Sequence, residues 1–373
     1  MTERSRRLRS RRWPLVLIGL LVVAGGLWSA AWSYGAGVAE RTIAGWRTRE
    51  ARAGRIYTCT DQTISGFPFG IDVHCLGAGA EFKSNHPPLA LTVGDMRVSA
   101  QVWRPTMLTT QFAAPLNVAE PGRPTMASAR WRHAEVRLRS LPSAPESATI
   151  QVDRPVVTRT EGGELFKADS LDVNGSLVSG SVELNPVIQI ELKLGAATAP
   201  LWHPAANVPV DAAITTVLRG LKDFSPKPWP QRFRELQATG GRIKIVKARL
   251  QQGDTVAIAN GVLGLSPYGR LDGELNLTIA NLEQFLSRLG LDRMLAPDRA
   301  PQLNETFSRL DRLLPGLGTM ARQNAAPMIT AGVGLMGQPT ELEGRRAVAL
   351  PLRFEDGVVS LGPLKIGVVP PLY

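Results

Sequence analysis

The stretch Ile188-Gln-Ile-Glu-Leu-Lys-Leu194 decides the fold, because apolar side chains occupy every second position and polar or charged ones lie between them. Successive side chains of a β-strand point to opposite faces, so this alternation predicts a strand with one buried face and one face in water. The same alternation recurs in the windows 134–139, 271–279 and 348–354. Strands of this kind, with a few helical patterns beside them, predict a mainly β protein of the α+β class.

Turn-forming sequences separate the predicted strands. They include Gly240-Gly241, Gly253-Asp254, Pro267-Tyr-Gly269 and Asp356-Gly357. Short turns join antiparallel neighbours, so we predict a large, curved, meandering antiparallel sheet. Within residues 242–250 the alternation of apolar and polar residues shifts by one position between Ile245 and Val246. This shift predicts a β-bulge or a change of buried face.

Helical spacing of apolar residues is concentrated in residues 205–325. It predicts three helices: one with Ile214, Val217, Leu218 and Leu221 and an N-cap at Asp211; one with Leu282, Phe285, Leu286 and Leu289; and one running from Leu303 to Leu314. Their apolar stripes need a partner, and a sheet with one apolar face supplies it. Two interpretations follow: the helices close the core, or sheet and helices enclose an apolar groove. The groove residues would be Leu218, Phe285, Phe307 and Leu310, and the ligand a lipid or another hydrophobic molecule.

Charge and composition limit the classes of partner. The 373 residues are 44% apolar and 20% charged, which is typical of a chain that folds around a core. The net charge is +11, but +5 of it lies in residues 1–12, and the remainder is spread over the rest of the chain. That density is too low for a nucleic-acid surface, so we predict no nucleic-acid partner.

An uncharged, strongly apolar stretch follows the basic tail. Residues 13–39 contain no charged side chain, and about 20 apolar residues span a bilayer as a helix. The predicted membrane-interface residues are Arg11, Arg12 and Trp13 at one end and Trp28, Trp32 and Tyr34 at the other. We therefore predict a cytoplasmic tail at 1–12, an anchor at 13–39 and a periplasmic β-rich domain at 40–373, in one body or two halves. The alternative is a cleavable signal peptide with Gly37-Val-Ala39 as its cleavage site.

The two cysteines fit an exported domain, where thiols pair in an oxidising compartment. Cys59 and Cys75 flank the turn sequence Gly66-Phe-Pro-Phe69, which predicts a hairpin that the disulfide closes. A bond across this short loop is expected to stabilise the fold by about 3 kcal/mol. A metal site made of the two cysteines and His74 matches no zinc spacing.

Catalytic signatures are absent from the sequence. Gly332-Val-Gly-Leu-Met-Gly337 has the spacing of a dinucleotide-binding loop, but Gln338-Pro339 follows and blocks the helix that such a loop needs. The four histidines are scattered. We predict no catalytic, cofactor-binding or metal-binding residues and no cofactor, while an enzyme whose site is assembled from distant loops stays open.

Several segments together resemble a known family. They are the basic tail with its single anchor, the Gly66–Phe69 turn between the cysteines, Trp103-Arg-Pro105, Gly240-Gly241 and the ending Phe354–Leu372. In these the chain is similar to the envelope proteins of domain of unknown function family 2125 in Gram-negative bacteria. More distantly it resembles AsmA-like envelope proteins, whose long curved sheets are associated with lipid handling. The resemblance implies location and architecture and carries no catalytic residues.

These observations predict a non-enzymatic, single-pass protein of the bacterial inner membrane with the bulk of the chain in the periplasm. We expect it to bind a lipid or an envelope protein through the apolar face of its sheet. The alternative is a structural or scaffolding envelope protein with a closed core that docks another protein.

Overall fold

The computed structural model describes residues 4–85, 87–140, 145–202, 204–225, 227–282, 284, 337–361 and 364–373. The described residues form antiparallel strands, two α-helices and one short 3-10 turn, and they divide into two compact units, 1–125 and 126–373. The predicted fold class is confirmed: the protein is mainly antiparallel sheet, curved and open, with an apolar N-terminal helix.

The first unit combines a long helix with four strands joined in sequence as hairpins. Helix α1 spans Arg4–Arg52 and is followed by β1 (Arg55–Ser65), β2 (Gly70–Phe82), β3 (Leu89–Gln101) and β4 (Arg104–Ala119). Its core consists of the buried residues Cys75, Ala78 and Val93, with Met96 and Phe112 packed against them.

Helix α1 changes character at Trp32. Residues 13–31 are all exposed, which suits a helix surrounded by lipid. From Trp32 onward, half-buried residues recur at intervals of three and four, which is the spacing of one helix face. They include Trp32, Gly35, Ala36, Ala39, Ile43, Arg47 and Glu50. This face packs against the sheet: the Trp46 ring lies 4.6 Å from that of Tyr57, and Arg47 donates a hydrogen bond to Gln62.

The second unit contains the remaining strands. Their bounds are β5 Thr125–Arg130, which begins at the boundary between the units, β6 His133–Arg139, β7 Ser147–Asp153, β8 Val156–Arg159, β9 Glu164–Lys167, β10 Ser170–Ser181, β11 Leu184–Ala197, β12 Val210–Arg219, β13 Arg242–Gln252, β14 Thr255–Leu265, β15 Leu271–Ala280, β16 Gln338–Leu342, β17 Arg345–Glu355, β18 Val358–Leu361 and β19 Leu364–Val368. A 3-10 turn occupies Pro204–Asn207, and helix α2 spans Trp229–Ala238.

The strand order of this unit is nearly the chain order. Antiparallel pairs run β6–β7–β10–β11–β12–β13–β14–β15–β17, and β17 pairs on its other side with β16 and then β18, which pairs with β19. The short strands β8 and β9 pair with each other, and β5 pairs with β8. The predicted meander is therefore confirmed over these strands.

The four alternating windows lie in β6, β11, β15 and β17, as predicted. The predicted bulge in β13 is also confirmed. Ile245 and Lys247 pair with the consecutive residues Thr216 and Thr215 of β12, which leaves Val246 as the extra residue. Because the bulge takes up this extra residue, Ala248 points to the same face of the sheet as Ile245.

One predicted helix is wrong. Residues 211–221 form strand β12 up to Arg219 and not a helix, although Ile214, Val217, Leu218 and Leu221 have helical spacing. The segment also alternates with period two, and its β-branched residues favour the strand once β11 and β13 are beside it. The other two predicted helices, 282–289 and 303–314, lie outside the described residues except at Leu282 and residue 284.

Candidate functional site

The apolar residues of adjacent strands lie in register on one face of the second unit. Ile188 of β11 pairs with Leu218 of β12, which pairs with Ile243 of β13, which pairs with Leu263 of β14. Paired residues in a sheet point to the same face. These four paired residues therefore form an apolar row that runs across the strands. The neighbouring rows of paired residues on this face are apolar as well, apart from Thr216.

This surface, the apolar face, extends over nine strands. Its residues are Ala134, Val136, Leu138, Ala148, Ile150, Val152, Leu171, Val173, Gly175, Leu177, Ile188, Ile190, Leu192, Leu194, Ala212, Ile214, Thr216, Leu218, Ile243, Ile245, Ala248, Leu250, Ala257, Ala259, Gly261, Leu263, Gly273, Leu275, Leu277, Ile279, Val348, Leu350, Leu352 and Phe354. None of these positions carries an ionisable side chain. The opposite face is charged, with pairs such as Arg353 and Glu274, whose Nε and Oε2 lie 2.9 Å apart.

The middle of the apolar face retains solvent-accessible surface. Ile150 is 38% exposed and Leu250 is 43% exposed, and Val173, Leu192 and Ile214 between them are half-buried. Toward the C-terminal strands the face becomes true core, where Ala257, Ile279 and Leu350 pack with Leu361 and Leu282. A partly exposed apolar surface flanked by packed core can accept a hydrophobic ligand.

Helix α2 covers one end of the apolar face. Its Leu236 forms a buried cluster with Ile188 and Leu221, and Phe233 and Leu218 pack against this cluster. Leu218, which the sequence assigned to a groove, is thus on the apolar face but on a strand and under α2. The other predicted groove residues, Phe285, Phe307 and Leu310, lie outside the described residues.

A charged cluster holds α2 in place. Lys227 Nζ lies 2.7 Å from Asp223 Oδ2 and 2.9 Å from Glu235 Oε2. Arg232, on α2, donates to the Asp223 carbonyl at 2.8 Å and contacts Glu235 Oε1 at 3.2 Å. Each carboxylate forms an ion pair with a cation of the same cluster, so the cluster has a structural role in fixing α2.

The ionisation of this cluster follows from its contacts. Hydrogen bonds from Lys227 and Ser225 hold the pKa of the Asp223 carboxyl well below its usual range. Burial opposes the ionisation of Glu235, but hydrogen bonds from Lys227 and the Lys222 N–H and the charge of Arg232 outweigh it, so the pKa of Glu235 is lowered. Hydrogen bonds to Asp223 and Glu235 in turn raise the pKa of Lys227.

The predicted membrane-interface residues all lie on helix α1. Trp13 and Tyr34 are each 72% exposed. The other two aromatics instead contact the loop between β1 and β2 and the first residue of β2: Trp28 Nε1 donates to the Pro68 carbonyl at 2.9 Å, and Trp32 Nε1 donates to the Gly70 carbonyl at 2.7 Å. Arg11 and Arg12 belong to the first turns of α1.

Cys59 and Cys75 lie on adjacent strands, as the hairpin prediction requires. Their sulfurs are 2.02 Å apart, at disulfide distance, and Cys75 is buried in the core of the first unit. In the part of the chain that the structure describes, no group of three or more His, Cys, Asp or Glu side chains could hold a metal ion. His74 Nε2 on β2 and Asp95 Oδ1 on the neighbouring strand β3 lie 2.5 Å apart.

We did not predict two features of the structure, and only the first of them has a signal in the sequence. Helix α2 begins with Pro228-Trp-Pro230, carries Trp229, Phe233 and Leu236 at helical spacing, and ends before Gly240-Gly241. The contact of α1 with the β1–β2 loop had no local signal, because it joins residues about 40 positions apart.

Comparison with known protein families relates the chain to one whose function is not characterised. The sequence profile of the family described as "Uncharacterized protein conserved in bacteria (DUF2125)" matches residues 32–370. No curated protein and no solved structure matches the chain. The matched range begins at Trp32, where α1 meets the sheet.

Proposed function

The chain belongs to the DUF2125 family of uncharacterised bacterial proteins, and from this premise we propose that it is a membrane-anchored, non-enzymatic lipid-binding protein of the bacterial envelope. Residues 13–39 of helix α1 anchor it in the inner membrane, residues 40–373 lie in the periplasm, and the apolar face of the second unit binds acyl chains.

The observation that carries the proposal is the composition of the apolar face. Its residues offer neither charge nor, Thr216 apart, a side-chain hydrogen-bonding group. An acyl chain makes no directional demands and gains free energy simply by leaving water, at about 25 cal/mol for each Å² of apolar surface buried. A partner protein would usually require polar contacts at its rim. Ile150, Val173, Leu192, Ile214 and Leu250 provide the accessible part of this surface.

Anchoring supports lipid as the ligand. Helix α1 is long and apolar enough to cross a membrane. The six arginines of residues 1–12 favour a cytoplasmic N-terminus. A tethered apolar face remains close to the bilayer, so the effective concentration of lipid at the face is high.

Cleavage of the anchor is disfavoured by its contacts with the sheet. A cut after Ala39 would remove the hydrogen bonds of Trp28 and Trp32 to the β1–β2 loop and four of the helix residues that face the sheet. We therefore propose that residues 13–39 stay in the mature protein.

The test compares two substitutions in the full chain. Leu250→Asn changes the apolar face, whereas Val262→Asn changes a residue of similar exposure, 41% against 43%, on the opposite face of the neighbouring strand. We expect purified Leu250→Asn protein to retain fewer phospholipids per chain after detergent washing than wild type, and Val262→Asn to match wild type. Because wild type and both variants keep the anchor, the amount of lipid held by α1 is the same in all three proteins and does not affect the comparison. Equal lipid content in all three proteins would reject the proposal and favour the scaffolding alternative.

A further inference from the structure

The β1–β2 and β3–β4 turns lie at the same end of the first unit and carry exposed aromatic and aliphatic side chains. Phe67 is 52% exposed, Phe69 63%, Val102 44% and Trp103 61%. These four residues are called the aromatic loop patch. Large apolar side chains gathered at one exposed site are unusual on a surface that faces water alone.

The patch is a single, fixed structure. The Phe69 and Trp103 rings lie 6.0 Å apart, and the Val102 N–H donates to the Phe69 carbonyl at 3.0 Å. Gly66 fixes the start of the first turn. Its φ is +104°, and a Cβ there would lie 2.8 Å from the Gly70 carbonyl oxygen, so only glycine fits.

Helix α1 fixes the depth of the patch. The Trp32 ring packs edge-on against Phe67 with centroids 5.6 Å apart, and the indoles of Trp28 and Trp32 are hydrogen-bonded to the same turn. From Trp13 to Trp32 the helix rises about 30 Å, which equals the thickness of the hydrocarbon core. When Trp13 lies at one boundary, Trp28 and Trp32 lie at the other, and the turn bonded to them lies at the same level.

We propose that the aromatic loop patch inserts into the outer boundary of the membrane that α1 spans. The lipid headgroup and upper acyl region is the ligand, and the first unit has two attachments to the bilayer: the helix and the paired turns. The side chains of the two turns are of the types that bind at the membrane interface. Within residues 65–70 and 101–105 the one ionisable side chain is Arg104, a cation suited to anionic headgroups, beside phenyl and indole rings that partition to the interface.

This inference rests on the proposed anchoring by α1 and is independent of lipid binding by the apolar face. It also accounts for the exposure of a large aromatic side chain at Trp103. Residues 67, 69 and 103 are exposed enough that substitution leaves the core intact.

The experiment measures depth in vesicles of phosphatidylethanolamine and phosphatidylglycerol that contain the full chain. A spin label is placed, through a genetically encoded ketone residue that leaves Cys59 and Cys75 untouched, at position 69, 103, 83 or 21. Lys83 is the matched control, because it is exposed and lies in the β2–β3 turn at the other end of the same hairpins. Leu21 reports on the anchor. Collision rates with oxygen and with a water-soluble nickel chelate give the depth of each label.

We expect the ratio of oxygen to nickel collisions at 69 and 103 to lie between the low value at 83 and the high value at 21. Ratios at 69 and 103 equal to that at 83, with 21 deep, would overturn the insertion while leaving the anchor. A water-exposed label at 21 would instead refute the anchoring itself and the inference with it.

Discussion

Glu235 connects helix α2 to the segment that precedes it, through Lys227 Nζ and the backbone N–H of Lys222. Its side chain is 7% exposed and accepts contacts from Lys227 and Arg232. Removing one partner from a buried charge cluster leaves the other charges uncompensated. We expect Glu235→Gln to lower the free energy of unfolding by about 3 kcal/mol, measured by denaturant unfolding of the full chain in detergent.

Glu274→Gln is the matched control for this substitution. Glu274 pairs with Arg353 on the exposed face, where both side chains are about half exposed, so the loss is expected to be under about 1 kcal/mol. Similar losses in both variants would mean that the cluster around Glu235 is no more important than a surface ion pair.

The lowered pKa values of Asp223 and Glu235 also predict an acid sensitivity. A carboxyl with a lower pKa in the folded state stabilises the fold above its unfolded-state pKa, about 4, and this contribution is lost as the pH falls below that value. Wild-type stability should therefore fall on acidification below about pH 4. The Glu235→Gln variant lacks one of the two titrating groups, so its slope should be shallower by up to about 1.4 kcal/mol per pH unit. Parallel slopes for the two proteins would contradict the assignment.

The bulge in β13 accommodates one extra residue, Val246, without interrupting the apolar face. Val246 is the extra residue, opposed by none in β12, and Ile245 and Ala248 on either side of it point to the apolar face. Deleting Val246 keeps every other side chain on its present face, so we expect a folded protein. Deleting Lys244 instead turns Ile243 to the charged face, at a cost of about 2 kcal/mol for the exposed side chain.

Thermal unfolding of the two deletion variants tests this element directly. We expect the Lys244 deletion to have the clearly lower midpoint. If the Val246 deletion had the lower midpoint, the bulge would be needed for the curvature of the sheet and not for placing the apolar side chains of β13 on one face.

Period-two patterns were sufficient to predict strands but not to exclude helices. Alternation is a local property, so the sequence alone predicted the strands β6, β11, β15 and β17 and the bulge at Val246. Strand β12 was mistaken for a helix because Ile214, Val217, Leu218 and Leu221 have helical spacing. Ala212, Ile214, Thr216 and Leu218 of the same segment alternate with period two, and pairing with β11 and β13 decides between the two patterns. The joining of α1 to the β1–β2 loop and the registration of nine strands into one apolar face depend on contacts between distant residues, which no local pattern contains.

The whole molecule is proposed to be anchored in the inner membrane with its sheet outside the cytoplasm. Membrane-bound protein should therefore retain residues 13–39 and contain no free thiol, since Cys59 and Cys75 meet an oxidising compartment. Mass spectrometry after alkylation without reductant measures both. Two alkylated cysteines would contradict the exported topology, and a mass that begins near residue 40 would contradict the uncleaved anchor.

The central claim is that acyl chains occupy the apolar face, and photo-crosslinking in living cells tests it most directly. A photoreactive phenylalanine is placed at Ile150, at Leu250 or, as the control, at Val262, in cells whose phospholipids carry radioactive phosphate. The account predicts a labelled protein–phospholipid adduct from positions 150 and 250 and none from 262, although all three side chains have similar exposure. Adducts of equal yield at all three positions, or adducts with another protein alone at 150 and 250, would contradict it.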